Sequence, residues 1–232
     1  TDTWNLWHQG HIDPMFDRLI ENMIAIEGVD PNRVYITGYS AGGDGVYQLA
    51  PRMADRWAGA GMMAGHPNET KPDGLRNTAF TLHMGAKDAA FKRNQVAAQW
   101  KTQLAKLKKD DPAGYDHWVE IHDGKGHWMD RQEVSGLQWM ASKTRKPRPK
   151  KIIWLQDEVV HPRFYWLAND DPQPRQRIVA QLDNQTVHIL EAGDASSLRI
   201  RLDDGMVDLD RKVIVRGPEN QVLFQGKVPR TI

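Results

Sequence analysis

Arg33-Val34-Tyr35-Ile36-Thr37-Gly38-Tyr39-Ser40-Ala41-Gly42 determines how the rest of this chain must be arranged. Its apolar first half is typical of a short strand, and the residues after it, Gly43–Ala50, are typical of a helix. Between the two lies the pattern Gly-x-Ser-x-Gly, which predicts a tight, strained turn with Ser40 at its apex. Glycine suits positions 38 and 42 because side chains there would collide with neighbouring backbone.

The segments on either side of this turn alternate between strand and helix patterns. A helix is predicted from an Asp13 N-cap with Pro14 in its first turn, and Gly28 ends it. Further strands are predicted at Trp57–Gly65, Thr78–Gly85 and His117–His122, with helices at Phe91–Lys109 and about Asp130–Ser142. Such alternation predicts an α/β fold with a parallel sheet.

The pattern changes after residue 145. Lys143–Lys151 carries six basic residues and two prolines, which is more typical of a stiff, solvated linker than of a polyanion-binding site. From Ile152 onward, short alternating segments separated by turn residues predict a small antiparallel β domain. We therefore predict an α/β domain at 1–145, a basic linker containing proline at 146–151, and an all-β accessory domain at 152–232.

Composition excludes several classes of function. The 232 residues carry a net charge of +1, so no global charge favours nucleic acid or an anionic membrane as a partner. The sequence has no cysteine, which excludes disulfides, thiolate metal ligands and a cysteine nucleophile. No apolar run approaches the length of about 20 residues that a membrane span needs.

Reactive side chains follow each predicted strand of the parallel sheet. Ser40, His66, Asp88 and His127 should share one rim, because the carboxyl ends of parallel strands meet at the same edge. A serine nucleophile needs a base, and the base needs an orienting carboxylate. His127 and Asp88 fit these roles in the order Ser, Asp, His. The backbone N–H of Ala41 should donate to an oxyanion.

Other residues compete for these roles. His66 is a rival base, but it precedes Asp88 and is better placed as a pocket wall, whereas Asp44 and Asp130 are rival acids within predicted helices. Aromatic residues near the site are further candidates for pocket walls, and these are Tyr39, Trp128, Trp4 and Trp7. A metal site at His8 and His11 is the less favoured interpretation of the first loop, because no third ligand lies nearby.

Two features of the β domain also allow more than one interpretation. Its acidic group could hold calcium, but the spacing does not match an EF-hand loop and favours surface turns; the residues are Asp203, Asp204, Asp208 and Asp210. Phe164, Tyr165 and Trp166 are expected to be exposed, either to a partner or polymer or, more favourably, for packing on the first domain.

Three segments together resemble the α/β-hydrolase superfamily: the Gly38–Gly42 turn, Gly85-Ala86-Lys87-Asp88, and Gly124-Lys125-Gly126-His127-Trp128. The resemblance is greatest to bacterial esterase and peptidase branches of the prolyl-oligopeptidase, dienelactone-hydrolase and polyhydroxybutyrate-depolymerase type. It implies Ser40 as nucleophile, Asp88 as acid and His127 as base. The implied function is hydrolysis of a small-molecule or polymer carboxylic ester through an acyl-enzyme, without a cofactor. A serine peptidase and a non-catalytic glycan- or polymer-binding protein are the alternatives.

The resemblance covers 1–145 well and the β domain loosely. The superfamily has about four strands before the nucleophile strand, and this sequence has none, so the implied core is the C-terminal half of the fold. We expect a segment outside this sequence, or an oligomer partner, to supply the missing strands and a second oxyanion donor. We also expect the chain to aggregate when it is expressed alone, because an unpaired central strand favours aggregation. The compartment is left open by the sequence.

Overall fold

The structure is a computed structural model that describes residues 6–7 and 9–230. The chain divides into two compact units, Thr1–Lys146 and Pro147–Ile232. Within the described residues, no helix combines the length and the apolar character that crossing a membrane requires.

The first unit contains a four-stranded parallel sheet with helices between its strands. Its elements are α1 (Ile12–Glu27), β1 (Tyr35–Tyr39), α2 (Ala41–Arg52), β2 (Gly59–Met63), β3 (Ala79–Gly85), α3 (Arg93–Asp110), β4 (His117–His122) and α4 (Val134–Ala141). The strand order is β1-β2-β3-β4, and each neighbouring pair is parallel. The predicted α/β fold with a parallel sheet is confirmed.

Both faces of this sheet are covered, which explains why β2 and β3 consist of buried residues throughout. On one face, Tyr47 of α2 packs between Phe80 of β3 and Trp100 of α3, with ring centroids 6.2 and 4.5 Å away. On the other face, Met140 of α4 lies so close to Gly59 that a β-carbon there would be 2.7 Å from its side chain. Small residues in β2 therefore allow α4 to approach the sheet.

Helix α1 begins differently from the prediction. Its N-cap is His11, which makes no side-chain capping bond, so the predicted N-cap role of Asp13 is wrong. Asp13 instead lies inside the first turn, only 2% exposed, and accepts two hydrogen bonds of 2.7 Å from Arg52. A buried arginine needs a carboxylate partner, and this tertiary demand overrides the local capping preference.

Two other helix boundaries also differ from the sequence pattern. Helix α2 continues past the predicted Ala50 to Arg52, with Pro51 inside its last turn. Helix α3 begins at Arg93 because Phe91 and Lys92 have positive φ angles of 56° and 58°, outside the helical region.

The second unit consists of short strands. They are β5 (Lys151–Leu155), β6 (Arg163–Phe164), β7 (Leu167–Ala168), β8 (Arg177–Asp183), β9 (Thr186–Glu191), β10 (Arg199–Ile200), β11 (Val213–Arg216) and β12 (Val222–Gly226). They form a five-stranded sheet in the order β12-β11-β9-β8-β5 and a three-stranded sheet in the order β10-β7-β6. All pairings are antiparallel except that of β9 with β11.

Of the three aromatic residues expected to be exposed, Phe164 and Trp166 are buried, whereas Tyr165 is partly exposed. Phe164 is 1% exposed and stacks on Trp154 at 5.8 Å, so the expectation that it would be exposed is wrong. Trp166 is 3% exposed, and its indole N–H donates to the Pro149 carbonyl at 2.8 Å. That bond, together with one from the Leu182 N–H to the Lys150 carbonyl, holds the end of the basic stretch against the β unit. The stretch is therefore not solvated along its whole length.

Candidate active site

The turn around Ser40 has the strained geometry that its sequence predicts. Ser40 has φ 56° and ψ −119°, a conformation that L-residues adopt only under constraint. A β-carbon at Gly38 would lie 2.1 Å from the Gly42 carbonyl oxygen, so only glycine fits there. The Ser40 N–H donates to the Met63 carbonyl at 2.9 Å, which attaches the turn to the end of β2. Ser40 is thereby held at the carboxyl end of the sheet.

Ser40, His127 and Asp88 form a continuous chain of polar contacts. His127 Nε2 lies 3.0 Å from Ser40 Oγ, and His127 Nδ1 lies 2.6 Å from Asp88 Oδ2. The Asp88 side chain is 2% exposed, whereas the His127 side chain is 43% exposed. Because Asp88 accepts a hydrogen bond from the Nδ1–H of His127, it selects the tautomer whose Nε2 carries a lone pair toward the serine hydroxyl.

Asp88 is held by the loop that follows β3. Its own N–H donates to the Gly85 carbonyl at 3.0 Å, and its carbonyl accepts from the Asn94 N–H at 3.0 Å. The Asn94 side chain donates to the Ala86 carbonyl at 2.9 Å, which closes the loop a second time. The carboxylate is therefore positioned before any substrate binds.

His127 lies on the loop after β4, which packs directly on the Asp88 loop. The Lys87 N–H donates to the Lys125 carbonyl at 2.8 Å, and Gly124 has a positive φ of 72° that favours glycine. Lys125 Nζ lies 2.7 Å from Asp130, so this rival acid is paired with a lysine at an exposed position.

The first turn of α2 lies next to Ser40. The helix begins at Ala41, and the N–H groups of a first helical turn have no carbonyl partner within their own helix. The helix dipole adds partial positive charge at the same place. These N–H groups are suited to stabilising negative charge on an oxygen near Ser40. The Trp7 indole N–H donates to the Ala41 carbonyl at 2.7 Å, which places this aromatic residue beside the turn.

His66 and Asp44 form a second polar pair at the rim. The His66 N–H donates to Asp44 Oδ1 at 2.6 Å, and His66 Nδ1 accepts from the Asn68 N–H at 3.0 Å. Burial raises the pKa of Asp44, opposed by this backbone bond and by nearby cationic groups. The imidazole that contacts Ser40 is thus that of His127, and Asp44 is engaged with His66.

Tyr39 and Trp128 lie on the other side of the site. The Tyr39 hydroxyl donates to the His127 carbonyl, and its ring meets the His127 ring edge-on at 5.7 Å. Trp128 is 57% exposed and lies 5.7 Å from the Tyr39 ring. Trp4 and His8 are outside the described residues.

Sequence reasoning missed a buried histidine pair below the site. His83 Nδ1 lies 3.0 Å from His122 Nε2, and His83 Nε2 lies 2.7 Å from Thr81 Oγ1. Helix α4 covers the pair so closely that a β-carbon at Gly136 would lie 1.8 Å from His83 Nε2. The signal in the sequence is a histidine inside the otherwise apolar strand Ala79–Gly85.

The same pair is the group best suited to a metal ion among the described residues, together with Glu120. One ligand atom from each of the three residues lies within 4.8 Å of those of the other two. Glu120 approaches His122 at Nδ1, 3.8 Å away, whereas His83 faces the opposite nitrogen. The contacts thus run from Glu120 through His122 to His83 and on to Thr81.

Burial of this pair predicts how stability changes with pH. Burial, assisted by His122, lowers the pKa of His83 to about 4 from 6.5. The unfolded chain therefore binds more protons between these two values, and the free energy of unfolding should fall as pH drops from about 6.5 to 4, by about 3 kcal/mol in all. Urea unfolding of wild type and His83→Gln across this range measures the effect. The substitution should remove most of the difference between pH 8 and pH 4.5, and an equal loss in both proteins would contradict it.

The acidic residues of the β unit are paired with arginines. Arg230 binds both Asp204 and Asp210, and Arg148 lies 2.5 Å from Asp203. Hydrogen bonds from Arg230 lower the pKa of Asp204 and of Asp210. The Asp208 carboxylate accepts from the Asp210 N–H, as in a surface turn. This arrangement agrees with surface turns rather than with a calcium site.

Solved structures that are similar to this chain include esterases. No protein family profile matches the chain, and no curated protein sequence is significantly similar to it. Among solved structures, the chain is similar to a thermostable esterase, with a TM-score of 0.47, 17% identity, and coverage of 57% of this chain and 37% of that one.

Two further solved structures show the same kind of likeness. The Bacillus cereus carboxylesterase gives a TM-score of 0.42 and 16% identity over 55% of this chain and 57% of that one. SOBER1 of Arabidopsis thaliana gives 0.41 and 21% over 56% and 61%. The matched region thus spans less than two thirds of each of these three proteins.

Proposed function

We propose that this protein is a serine hydrolase that cleaves carboxylic esters through an acyl-enzyme on Ser40. The observation that supports this best is the continuous chain of contacts from Asp88 through His127 to Ser40. In this chain a buried acid orients the base, and the base contacts a serine whose backbone is strained. Such a chain is an arrangement that activates a hydroxyl group for acyl transfer.

In the first half of the reaction, Ser40 Oγ attacks the ester carbonyl carbon while its proton passes to His127 Nε2. The carbonyl oxygen gains a negative charge, which the Ala41 N–H stabilises by donating a hydrogen bond. Asp88 stabilises the imidazolium that has formed. The C–O bond to the alcohol then breaks, and His127 returns the proton to the leaving oxygen.

In the second half, water replaces the alcohol. His127 removes a proton from the water as its oxygen attacks the acyl carbon, and the same donor stabilises the second oxyanion. The bond to Ser40 Oγ breaks, and the proton on His127 returns to that oxygen. The carboxylic acid leaves, and Ser40 regains its hydroxyl group.

We further propose that the chain is divided into two domains. Residues 1–145 are the catalytic domain and 152–232 the accessory domain, joined by the basic segment 146–151. In the described part of the first unit, β1 is an edge strand, and its outer hydrogen-bonding groups face away from β2. Further strands of a larger sheet would pair there. Peptidase action uses the same chemistry and remains the second candidate.

Covalent trapping tests the nucleophile independently of the natural substrate. A fluorophosphonate phosphonylates an activated serine and releases fluoride, so one adduct on the peptide containing Ser40 is expected. Ser40→Ala should abolish the adduct, and prior unfolding of the wild type should abolish it too, since the activation depends on the fold. Labelling of unfolded protein at an equal rate, or on other serines only, would contradict the proposal.

A further inference from the structure

We propose that Tyr39 is a positioning residue that fixes the loop carrying His127, and so sets the distance from His127 Nε2 to Ser40 Oγ. This inference rests on the proposed function, because it concerns the same reaction. It follows from the contact between the Tyr39 hydroxyl and the His127 carbonyl, which joins the residue before the nucleophile to the main chain of the base.

The Asp88 loop holds the His127 loop at Lys125, and the Tyr39 hydroxyl adds a contact at His127 itself. The His127 side chain is 43% exposed, so burial does not fix the imidazole. Gly124, Asp130 and Arg131 have positive φ angles of 72°, 55° and 65°, so the loop has no repeating backbone structure. A displacement of about 1 Å in a reacting group can lower a rate by about a hundredfold. Contacts to the main chain of His127 itself should therefore matter to the rate.

Tyr39 is well held by the sheet. It pairs with Met63 in the parallel register of β1 and β2, and the next residue, Ser40, donates its N–H to the Met63 carbonyl. The Tyr39 ring also packs on the buried cluster of Met63, Ala64 and Met129. Because Met129 follows His127 by two residues, Tyr39 contacts the loop on both sides of Trp128. The positions of Ser40 and His127 are thus both fixed by contacts with the end of β1.

The charges around Tyr39 keep its hydroxyl a donor. Burial raises the pKa of Tyr39 above 10.0, and the carboxylates of Glu133, Asp88 and Asp130 raise it further, while the Met129 amide opposes them. The hydroxyl therefore stays protonated at neutral pH, where His127 must act as a base. A phenolate at this position would repel the carbonyl oxygen that it contacts.

Tyr39→Phe tests the inference, because it removes the hydroxyl and keeps the ring against His127 and Trp128. We expect kcat for p-nitrophenyl acetate to fall about tenfold while KM changes less than about twofold, since ground-state binding does not use this bond. The matched control is Tyr35→Phe on the same strand, because the Tyr35 hydroxyl lies within hydrogen-bond distance of the Ala141 and Lys143 carbonyls, 3.0 and 2.6 Å away, at the end of α4. This control should lower the melting temperature and leave kcat unchanged.

A rescue variant separates positioning from folding. Replacement of Tyr39 by 4-aminophenylalanine keeps a donor at the same place, and kcat should return to within about threefold of the wild type. Wild-type kcat in Tyr39→Phe, an equal loss in Tyr35→Phe, or no rescue would overturn the inference. If Tyr39→Phe does not fold, the rescue variant still decides, since its kcat must then stay near the wild-type value. Failure of the proposed function is distinct from these outcomes, because wild type and Ser40→Ala would then hydrolyse the ester equally.

Discussion

Asp88→Asn is expected to lower kcat for ester hydrolysis by about 10³- to 10⁴-fold, with KM changed little. Asparagine has nearly the same shape, and its amide group would donate to His127 Nδ1 where the carboxylate accepts. The imidazole would then carry its proton on Nε2, 3.0 Å from Ser40 Oγ, and could not accept the serine proton. Initial rates with p-nitrophenyl acetate, together with circular dichroism to check the fold, measure the effect.

Asp44→Asn and Asp130→Asn are the comparisons for this variant. Both residues are acidic and near the rim, but Asp44 accepts from the His66 N–H and Asp130 pairs with Lys125. Each variant should keep most of the wild-type kcat. A loss of kcat in Asp44→Asn as large as that in Asp88→Asn would contradict the assignment of Asp88 as the acid.

Gly85→Ala is expected to cost both stability and activity. A β-carbon at Gly85 would lie 1.9 Å from the Gly126 carbonyl oxygen and 2.7 Å from that of Lys125, both backbone atoms that cannot rotate away. The loop that carries His127 would have to move away from the loop that carries Asp88. We expect destabilisation by about 3 kcal/mol. A fall in kcat of more than about a hundredfold should accompany it, since the contact between the two residues depends on this packing.

Gly126→Ala is the matched control, because it adds the same methyl group to the partner residue. A β-carbon there would meet nothing within 4 Å. This variant should melt near the wild-type temperature and keep its activity. Comparable losses in the two variants would show that the loops are not packed as described.

The placement of the candidate site residues at one rim could be predicted from the sequence, because a parallel sheet brings the carboxyl ends of its strands to one edge. Ser40, His66, Asp88 and His127 each follow a strand of the sheet, and parallel strands bring their carboxyl ends to one rim. The strained turn at Ser40 could also be predicted, because close contact with the backbone of Gly42 requires glycine at position 38. These features depend on chain direction and on sterics, which the order of residues specifies.

Features that depend on tertiary contacts were not predictable in this way. Asp13 has the residue type and sequence position of an N-cap, but in the structure it forms a buried ion pair with Arg52 of α2. Phe164 and Trp166 are buried against partners that lie earlier in the chain, Trp154 and Pro149. The contact from Tyr39 to the His127 carbonyl likewise joins residues 88 positions apart. No local pattern encodes such pairings.

Hydrolysis of p-nitrophenyl acetate by the wild type and by Ser40→Ala tests the central claim most directly. The account predicts steady turnover by the wild type and a loss of at least about 10³-fold in the variant, with both proteins folded by circular dichroism. Equal rates in the two proteins would contradict the assignment of Ser40 as the nucleophile.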